Sequence, residues 1–209
     1  MAQEISESVE SISLPTPKTE GLVSLEETLV RRRSVRDYVS QPISLVQLSQ
    51  LLWSAQGVTG HGEHKRTPPS AGALHPLETY AVIGNVGSLD KGIYRYSPGK
   101  HALTLAYNGD FLAALGRAAV NQTWLVEGSV VFVFTAIYER TTQKYGERGV
   151  RYVHMDVGFA AENLHLQAVA LGLCTVIIGA FVDEEVHRVM QLPPDEHPLL
   201  ILPVGWPRG

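Results

Sequence analysis

Arg31-Arg32-Arg33-Ser34-Val35-Arg36 crowds guanidiniums and a hydroxyl into six residues, directly after a segment with helical periodicity. Guanidinium forks and a hydroxyl at a helix end hold a doubly charged phosphate well, through bidentate, charge-assisted hydrogen bonds. Arginines in a last helical turn also complement the helix dipole with no ligand at all. On its own the segment supports both readings equally.

Other site chemistries find less support. Gly60-His61-Gly62 continues to Lys65 where a dinucleotide-binding turn needs its third glycine, and no strand-to-helix junction surrounds it. A phosphate-cradling Gly-Lys-Ser/Thr loop is missing, as is a Gly-x-Ser-x-Gly nucleophile elbow. His61 and His64 stand three apart in a glycine-bearing loop with no carboxylate or cysteine at ligand spacing, so no metal site is expected. His165 falls inside a long apolar helix and reads as a packing residue. Cys174, the sole cysteine, lies in an apolar run, excludes an internal disulfide and reads as a small hydrophobe.

The bulk properties narrow the partners. A net charge of -4 over 209 residues gives no footprint for nucleic acid. Apolar residues make up 44%, enough for one globular domain with a sizeable core. Neither a signal-peptide core nor a membrane-length apolar run is present, so a cytoplasmic protein is expected, off the membrane.

These residues need elements to position them. Residues 1–20, rich in Ser, Glu, Thr and Pro, read as a flexible N-terminal arm, in which Ile5, Val9 and Ile12 are spaced to dock on a neighbour. Residues 21–209 read as a single domain. Ser24 and Glu27 have capping-box spacing before Leu25, Leu29 and Val30 on one helix face. Pro42-Ile43-Ser44 opens a second helix with Leu45, Leu48, Leu51 and Leu52 as its stripe. A Gly/His/Pro-rich loop covers 57–69, and a strand covers 79–83. A hairpin joins 93–96 to 103–105, and Asp110 caps a helix to about Ala119. Residues 130–136 form an apolar central strand. A long buried helix spans 153–171 and ends at Gly172; a strand at 175–178, a helix opened by Asp183 and a strand at 199–204 follow. With helices grouped early and no βαβ alternation, the order predicts an α+β fold.

Arg32-Arg33-Ser34-Val35-Arg36 followed by the aromatic Tyr38 resembles the opening motif of the FMN-dependent nitroreductase superfamily. Pro69-Ser70-Ala71-Gly72-Ala73-Leu74-His75-Pro76 is similar to that family's second flavin loop, in the form written by its SagB-type dehydrogenase branch, with His75 where an aromatic is usual. Lys144-Tyr145-Gly146-Glu147-Arg148-Gly149-Val150-Arg151-Tyr152 is similar to the same branch's Lys-Tyr signature. From Asp156 through Leu171-Gly172-Leu173 to Gly179-Ala180-Phe181 the chain resembles the family's long helix and third flavin contact. Four motifs occur in order over roughly residues 12–207.

The resemblance implies a nitroreductase-like α+β fold: a mainly antiparallel central sheet flanked by helices, in a homodimer with FMN at the subunit interface. It implies that Arg32, Arg33, Ser34 and Arg36 grip the FMN phosphate and ribityl chain. It also implies that Ser70, Ala71 and Gly72 line the ribityl chain and ring edge from the partner subunit. Asn121 stands where relatives carry a polar flavin contact, the backbone of Gly179 and Ala180 approaches N5, and Arg208 is a second phosphate clamp. By the same resemblance Lys144 and Tyr145 are catalytic, acting in proton removal; the alternative is a solvated lysine on a polar loop with Tyr145 packed beneath. The implied activity is NAD(P)H-dependent ping-pong reduction of nitro- or quinone-type acceptors, or else SagB-type dehydrogenation of azolines or similar heterocycles. A flavin-binding protein without turnover is a third reading. A dimer that has lost its flavin is disfavoured by the intact arginine cluster.

Overall fold

A computed structural model describes residues 11–60 and 65–208. Its centre is the strand expected at Val130–Ala136, which is buried along its whole length. Val130, Phe132, Phe134 and Ala136 enter one core, while Val131 and Val133 enter a second core on the opposite face. A strand covered on both faces has no polar alternation to show, and for that reason the sequence reads as one apolar run.

Eight strands build the sheet: β1 (Ser11–Ser13), β2 (Tyr38–Val39), β3 (Leu77–Ile83), β4 (Gly92–Ser97), β5 (Ala102–Asn108), β6 (Val130–Ala136), β7 (Cys174–Thr175) and β8 (His197–Pro207). Their order is β1-β5-β4-β3-β6-β8-β2, with β7 also on β8, and every ladder is antiparallel. Helices α2 (Leu45–Gln56) and α5 (Arg148–Ala170) cover the first core. Helices α3 (Leu112–Ala118) and α6 (Asp183–Met190) cover the second. The α+β architecture expected from the sequence, an antiparallel sheet flanked by helices, is the one observed. Helices are not grouped early, however, because the sheet interleaves with them along the whole chain.

Local signals set several boundaries. Ser44 and Gln47 form a reciprocal capping box at the start of α2. Asp110 Oδ1 accepts from the Leu112 amide at the start of α3. At the end of α5 the Leu173 amide donates to Ala168 and the Gly172 amide to Val169, with Gly172 at φ +74, a Schellman ending that only glycine adopts without strain. The helix begins at Arg148, a turn before the expected Val153.

Four expectations change. Residues 1–10 of the proposed arm, including Ile5 and Val9, lie outside the described residues. Residues 11–20 are docked: β1 pairs with β5, Leu14 is buried, and the Lys18 amide donates to Gln50 Oε1. Helix α1 (Leu25–Arg31) turns Leu25, Leu29 and Val30 outward and buries Thr28 instead. The strand expected at 175–178 is confined to β7, with Ile178 bridging Ile201 alone. Glu139–Tyr145 is a helix, α4, not a polar loop; Gly146 ends it at φ +57. Seven largely polar residues burying only Thr141 leave no periodicity to read. Among the described residues, no helix is long and apolar enough to cross a membrane.

Candidate functional site

The arginine segment leaves α1 and crosses the end of α5. Ser34 bridges Thr175, and the Val35 amide donates to the Thr175 carbonyl at 3.0 Å. From α5, the buried His165 places Nε2 3.2 Å from the Arg33 carbonyl. Burial holds the His165 pKa below its usual value, so the neutral ring is favoured. Among the described residues, Nδ1 of His165 and Oγ1 of Thr175 are buried with no hydrogen-bond partner.

The four arginines divide. Arg31 pairs with Glu27 one turn back, at 2.6 Å. Arg33 folds back so that Nη1 donates to the Val30 and Arg32 carbonyls, at 2.9 and 2.7 Å, which is the helix-end role. Arg32 Nε lies 3.7 Å from Glu162, a loose pair. Arg36 is exposed and meets no carboxylate among the described residues. Arg31 and Arg33 thus serve the helix, whereas the side chains of Arg32, Ser34 and Arg36 make no such helix-end bond among the described residues.

The second group assembles around a turn. Gly72, Ala73 and His75 all have positive φ, at +64, +54 and +46, so three of four consecutive residues lie in the left-handed region. Such a turn persists only where its surroundings hold it. The Ser70 hydroxyl accepts from the His75 amide at 3.0 Å, and Arg140 Nη1 donates to the His75 carbonyl at 3.2 Å. Beneath the turn stands Asp156 of α5, 4% exposed, whose carboxylate accepts from the Ser70 side chain and the Ala71 amide. Burial raises the Asp156 pKa, those two hydrogen bonds oppose the rise, and Oδ2 has no hydrogen-bond partner among the described residues.

Lys144 and Tyr145 end α4 against this turn. A Cβ on Gly72 would stand 2.8 Å from Tyr145 Oη and 3.1 Å from Lys144 Nζ. Tyr152 of α5 meets the Tyr145 ring edge-on at 5.1 Å between centroids. The hydroxyl and the amine therefore converge on the exposed backbone of Gly72, and α4 packs on α5 to keep them there.

A third group joins the end of α3 to the segment after β7. Asn121 has φ +57 and is exposed, a conformation its side chain tolerates better than most. Its neighbour Gln122 donates Nε2 to the Ala180 carbonyl at 3.2 Å, bringing Asn121 beside Gly179 and Ala180. Gly179 and Ala180 are exposed, and the nearest atom to a Cβ on Gly179 is a Leu200 methyl at 3.8 Å. Arg208 does not join any of these groups as a free cation. Its Nε meets Asp37 at 2.6 Å, and Nη2 meets the Tyr38 carbonyl at 2.8 Å and Glu127 at 3.5 Å. These contacts tie Arg208 to Asp37 and Tyr38 beside β2.

The sequence profile of the nitroreductase family matches residues 29–206. The chain belongs to the nitroreductase family. A protein of Methanocaldococcus jannaschii named as a nitroreductase is 43% identical over 183 residues, 88% of this chain and 91% of its own length. A crystal structure from Ralstonia eutropha, also named as a nitroreductase, shares 30% identity and covers 97% of this chain and 92% of that one, with a TM-score of 0.81. The microcin B17-processing protein of Escherichia coli is 26% identical over 72% of this chain and 57% of its own length.

For a member of the nitroreductase family, the group to test against these residues is a phosphate-bearing flavin, and they fit it. Arg36 offers a guanidinium that meets no carboxylate among the described residues, and Gly179 offers exposed backbone whose nearest side-chain atom to a Cβ is at 3.8 Å. Sequence reading missed three supports: Asp156 under the Ser70 turn, His165 on the Arg33 carbonyl, and Gln122 on Ala180. Asp156 and His165 had a signal, since each is a polar residue on the buried stripe of a long helix, where only a partnered one is retained. Cys174 is buried and its thiol is pushed up to about 12, chiefly by burial, which agrees with a packing role.

Proposed function

We propose that this nitroreductase-family oxidoreductase binds FMN and carries hydride from NAD(P)H to nitro- or quinone-type acceptors by a ping-pong mechanism. The observation that carries the reading is Arg36: exposed, without a carboxylate among the described residues, in a segment pinned by Thr175 and His165. A guanidinium carried on an anchored backbone, with no carboxylate beside it among the described residues, is suited to a phosphate monoester. Bound FMN would supply the hydride-accepting and hydride-donating centre.

In this reading Arg32, Ser34 and Arg36 hold the phosphate. Ser70, Ala71 and Gly72 approach the ribityl chain and ring edge, with Asp156 fixing their turn. Gly179 and Ala180 present small-residue backbone, with Asn121 beside them. Because nicotinamide delivers hydride from a carbon that needs no deprotonation, Lys144 and Tyr145 bind and orient the acceptor at Gly72 and return protons to it. The 43% identity to a protein named as a nitroreductase supports this choice.

The homodimer belongs to the same proposal. Leu25 and Leu29 of α1 and Met155 and Phe159 of α5 expose 60, 54, 48 and 45% of their surface, far more than a helix face that packs internally. Nine residues of α5 separate Asp156 under the Ser70 turn from His165 under the arginine segment, about 14 Å of helix axis. A two-fold copy that covers the apolar helices would bring the turn of one subunit towards the arginines of the other. The cytoplasm, where NAD(P)H is at hand, is the matching compartment.

A second reading is favoured by the convergence of Lys144 Nζ and Tyr145 Oη on Gly72. There the pair takes a proton from a heterocyclic substrate as its hydride leaves, the dehydrogenase chemistry of the SagB-type branch. The visible spectrum of purified protein tests the shared flavin claim: a yellow protein that releases FMN, not FAD, on denaturation and bleaches with NADH or NADPH without oxygen. A colourless protein that fails to bind added FMN sinks both readings. A yellow protein that no donor or substrate bleaches is a flavin carrier instead.

A further inference from the structure

The hydrogen bonding of His165 does not by itself explain a histidine at this position. The residue is 1% exposed, on the same buried stripe of α5 as Ala161 and Ala168. Its ring makes one hydrogen bond, from Nε2 to the Arg33 carbonyl at 3.2 Å. A carbonyl only accepts, so Nε2 carries the proton, and burial favours the neutral ring. Nδ1 is then a bare acceptor, buried with no hydrogen-bond partner among the described residues. A neutral hydrogen bond contributes no more free energy than an orphaned buried acceptor costs. An apolar side chain would fill the same stripe without that cost. The use of the histidine therefore lies with the carbonyl it holds.

That carbonyl fixes one peptide plane. No peptide bond among the described residues is cis, so the Ser34 amide points opposite to the Arg33 carbonyl. On the other side of Ser34, the Val35 amide donates to the Thr175 carbonyl at 3.0 Å, within a parallel bridge between Ser34 and Thr175. In such a bridge the groups that flank the residue turn towards the partner, and its own N–H turns away. The Arg33 carbonyl and the Val35 amide thus face inward, and the Ser34 amide faces out. Ser34 is exposed, and neither its amide nor its hydroxyl has a hydrogen-bond partner among the described residues. Arg32 and Arg36 stand two residues to either side of it.

We propose that His165 is a positioning residue for the phosphate site: by holding the Arg33 carbonyl it presents the Ser34 amide outward as a backbone donor to a bound phosphate. The inference rests on the flavin reading above and adds to it a buried group from outside the arginine segment. A backbone N–H already fixed in direction loses no rotamer freedom when the ligand arrives, unlike the long side chains of Arg32 and Arg36. It also meets a charged acceptor, a stronger bond than the neutral one that His165 makes. Ligand binding thereby offsets what the orphaned Nδ1 costs the free protein.

Fluorescence titration of the apoprotein tests this, with FMN and with riboflavin, which has the same ring and ribityl chain but no phosphate. Thermal unfolding of the same apoproteins accompanies it. His165→Leu removes the donor and the orphaned Nδ1 together. His165→Gln keeps a donor nitrogen the same number of bonds from Cα, and the two replacements have near-equal helix propensity. His165→Leu unfolds at the wild-type temperature or above, yet binds FMN about ten-fold more weakly, with riboflavin affinity unchanged. His165→Gln recovers most of the FMN affinity. Ser34→Pro reads the amide directly, at an exposed position where the N–H makes no internal bond. It binds FMN about ten-fold more weakly than Ser34→Ala, which removes the hydroxyl alone. A histidine with a purely structural role gives a lowered Tm in His165→Leu and no selective loss of FMN over riboflavin. That pattern, equal losses in His165→Leu and His165→Gln, or equal FMN affinity in Ser34→Pro and Ser34→Ala would each overturn the inference and leave the flavin reading in place. A wild type that binds no added FMN overturns both.

Discussion

The Tyr145 hydroxyl lies 2.8 Å from the point where Gly72 would carry a Cβ. Gly72 therefore does two things: it takes the left-handed conformation at φ +64 that closes the Ser70 turn, and it leaves room for the hydroxyl and the Lys144 amine. Gly72→Ala meets both conditions badly. The left-handed backbone alone costs an L-residue about 1–2 kcal/mol. For a chain of this length that lowers the Tm by about 2–8 °C. The methyl also pushes Tyr145 aside, so turnover falls in the refolded variant even where FMN content is kept. A Tm and turnover equal to wild type would show that the turn is held by something other than Gly72.

Asp156 gives a pH signature with a definite sign. Burial raises its pKa in the folded protein above the unfolded value. Stability from the protonated carboxyl is fully present below the ordinary carboxylate range and is lost as pH rises through the folded pKa. Asp156→Asn keeps an acceptor oxygen for Ser70 and Ala71 but has no proton to lose. Denaturant unfolding should thus show the wild type losing stability relative to Asp156→Asn on going from about pH 4 to neutrality. A gap that is flat or widens in favour of the wild type would mean that the carboxylate is compensated by a group in the assembled protein.

The sheet and its long helix were legible because their patterns are strong: the apolar run of β6 and the stripe of α5 ending at Gly172 each decide an element alone. Short elements were not. Helix α4 has a single buried side chain and β2 is two residues long, so their positions come from tertiary packing and leave no period in the sequence. At the site, motif resemblance singled out Ser70, Ala71 and Gly72 and, separately, Lys144 and Tyr145, and the structure brings the second pair against Gly72 of the first group. Arg208 shows what such reading leaves out, because its partners Asp37 and Glu127 are distant in sequence and no local pattern announces them. The outward turn of Leu25 and Leu29 was equally invisible, since periodicity gives the apolar face but not what covers it.

Two arginines should separate cleanly in flavin affinity. Arg36→Ala removes a guanidinium that meets no carboxylate among the described residues and should weaken FMN binding by about ten- to a hundred-fold, the loss of one charged hydrogen bond. Arg208→Ala removes one already held by Asp37 and Glu127 and should leave FMN affinity unchanged. Fluorescence titration of the apoprotein at moderate salt measures both. If Arg36→Ala keeps wild-type affinity, the whole segment is a helix-end charge array.

The exposed apolar residues of α1 and α5 predict the assembly. Phe159→Glu places an unpaired charge on that face, which costs several kcal/mol if it is buried between subunits and almost nothing if it is not. Sedimentation velocity should show the wild type as a dimer and the variant shifted to monomer, with FMN lost in parallel. A variant that stays dimeric and yellow would put the subunit interface elsewhere.

Lys144 and Tyr145 separate the two enzyme readings. If they act as a proton-accepting pair in substrate dehydrogenation, Lys144→Ala should slow that oxidation by about 10²–10⁴-fold. Neither residue belongs to the phosphate or ring-contact motifs, so bound FMN should be unchanged in Lys144→Ala and in Tyr145→Phe. Flavin reduction by NADH or NADPH requires no deprotonated carbon and should be nearly indifferent to both changes. Rapid anaerobic mixing, with FMN occupancy measured first, reads each half-reaction separately. Equal rates in wild type and both variants with every reducing substrate would remove the pair from the reductive chemistry and leave it the acceptor side alone. Loss of FMN would instead make Gly72, against which both side chains rest, the reason for their position: they would be buttresses of the flavin turn. The reductase reading expects intact flavin reduction in both variants and a slowed second half-reaction, because the hydroxyl and amine converge where an acceptor takes up its protons.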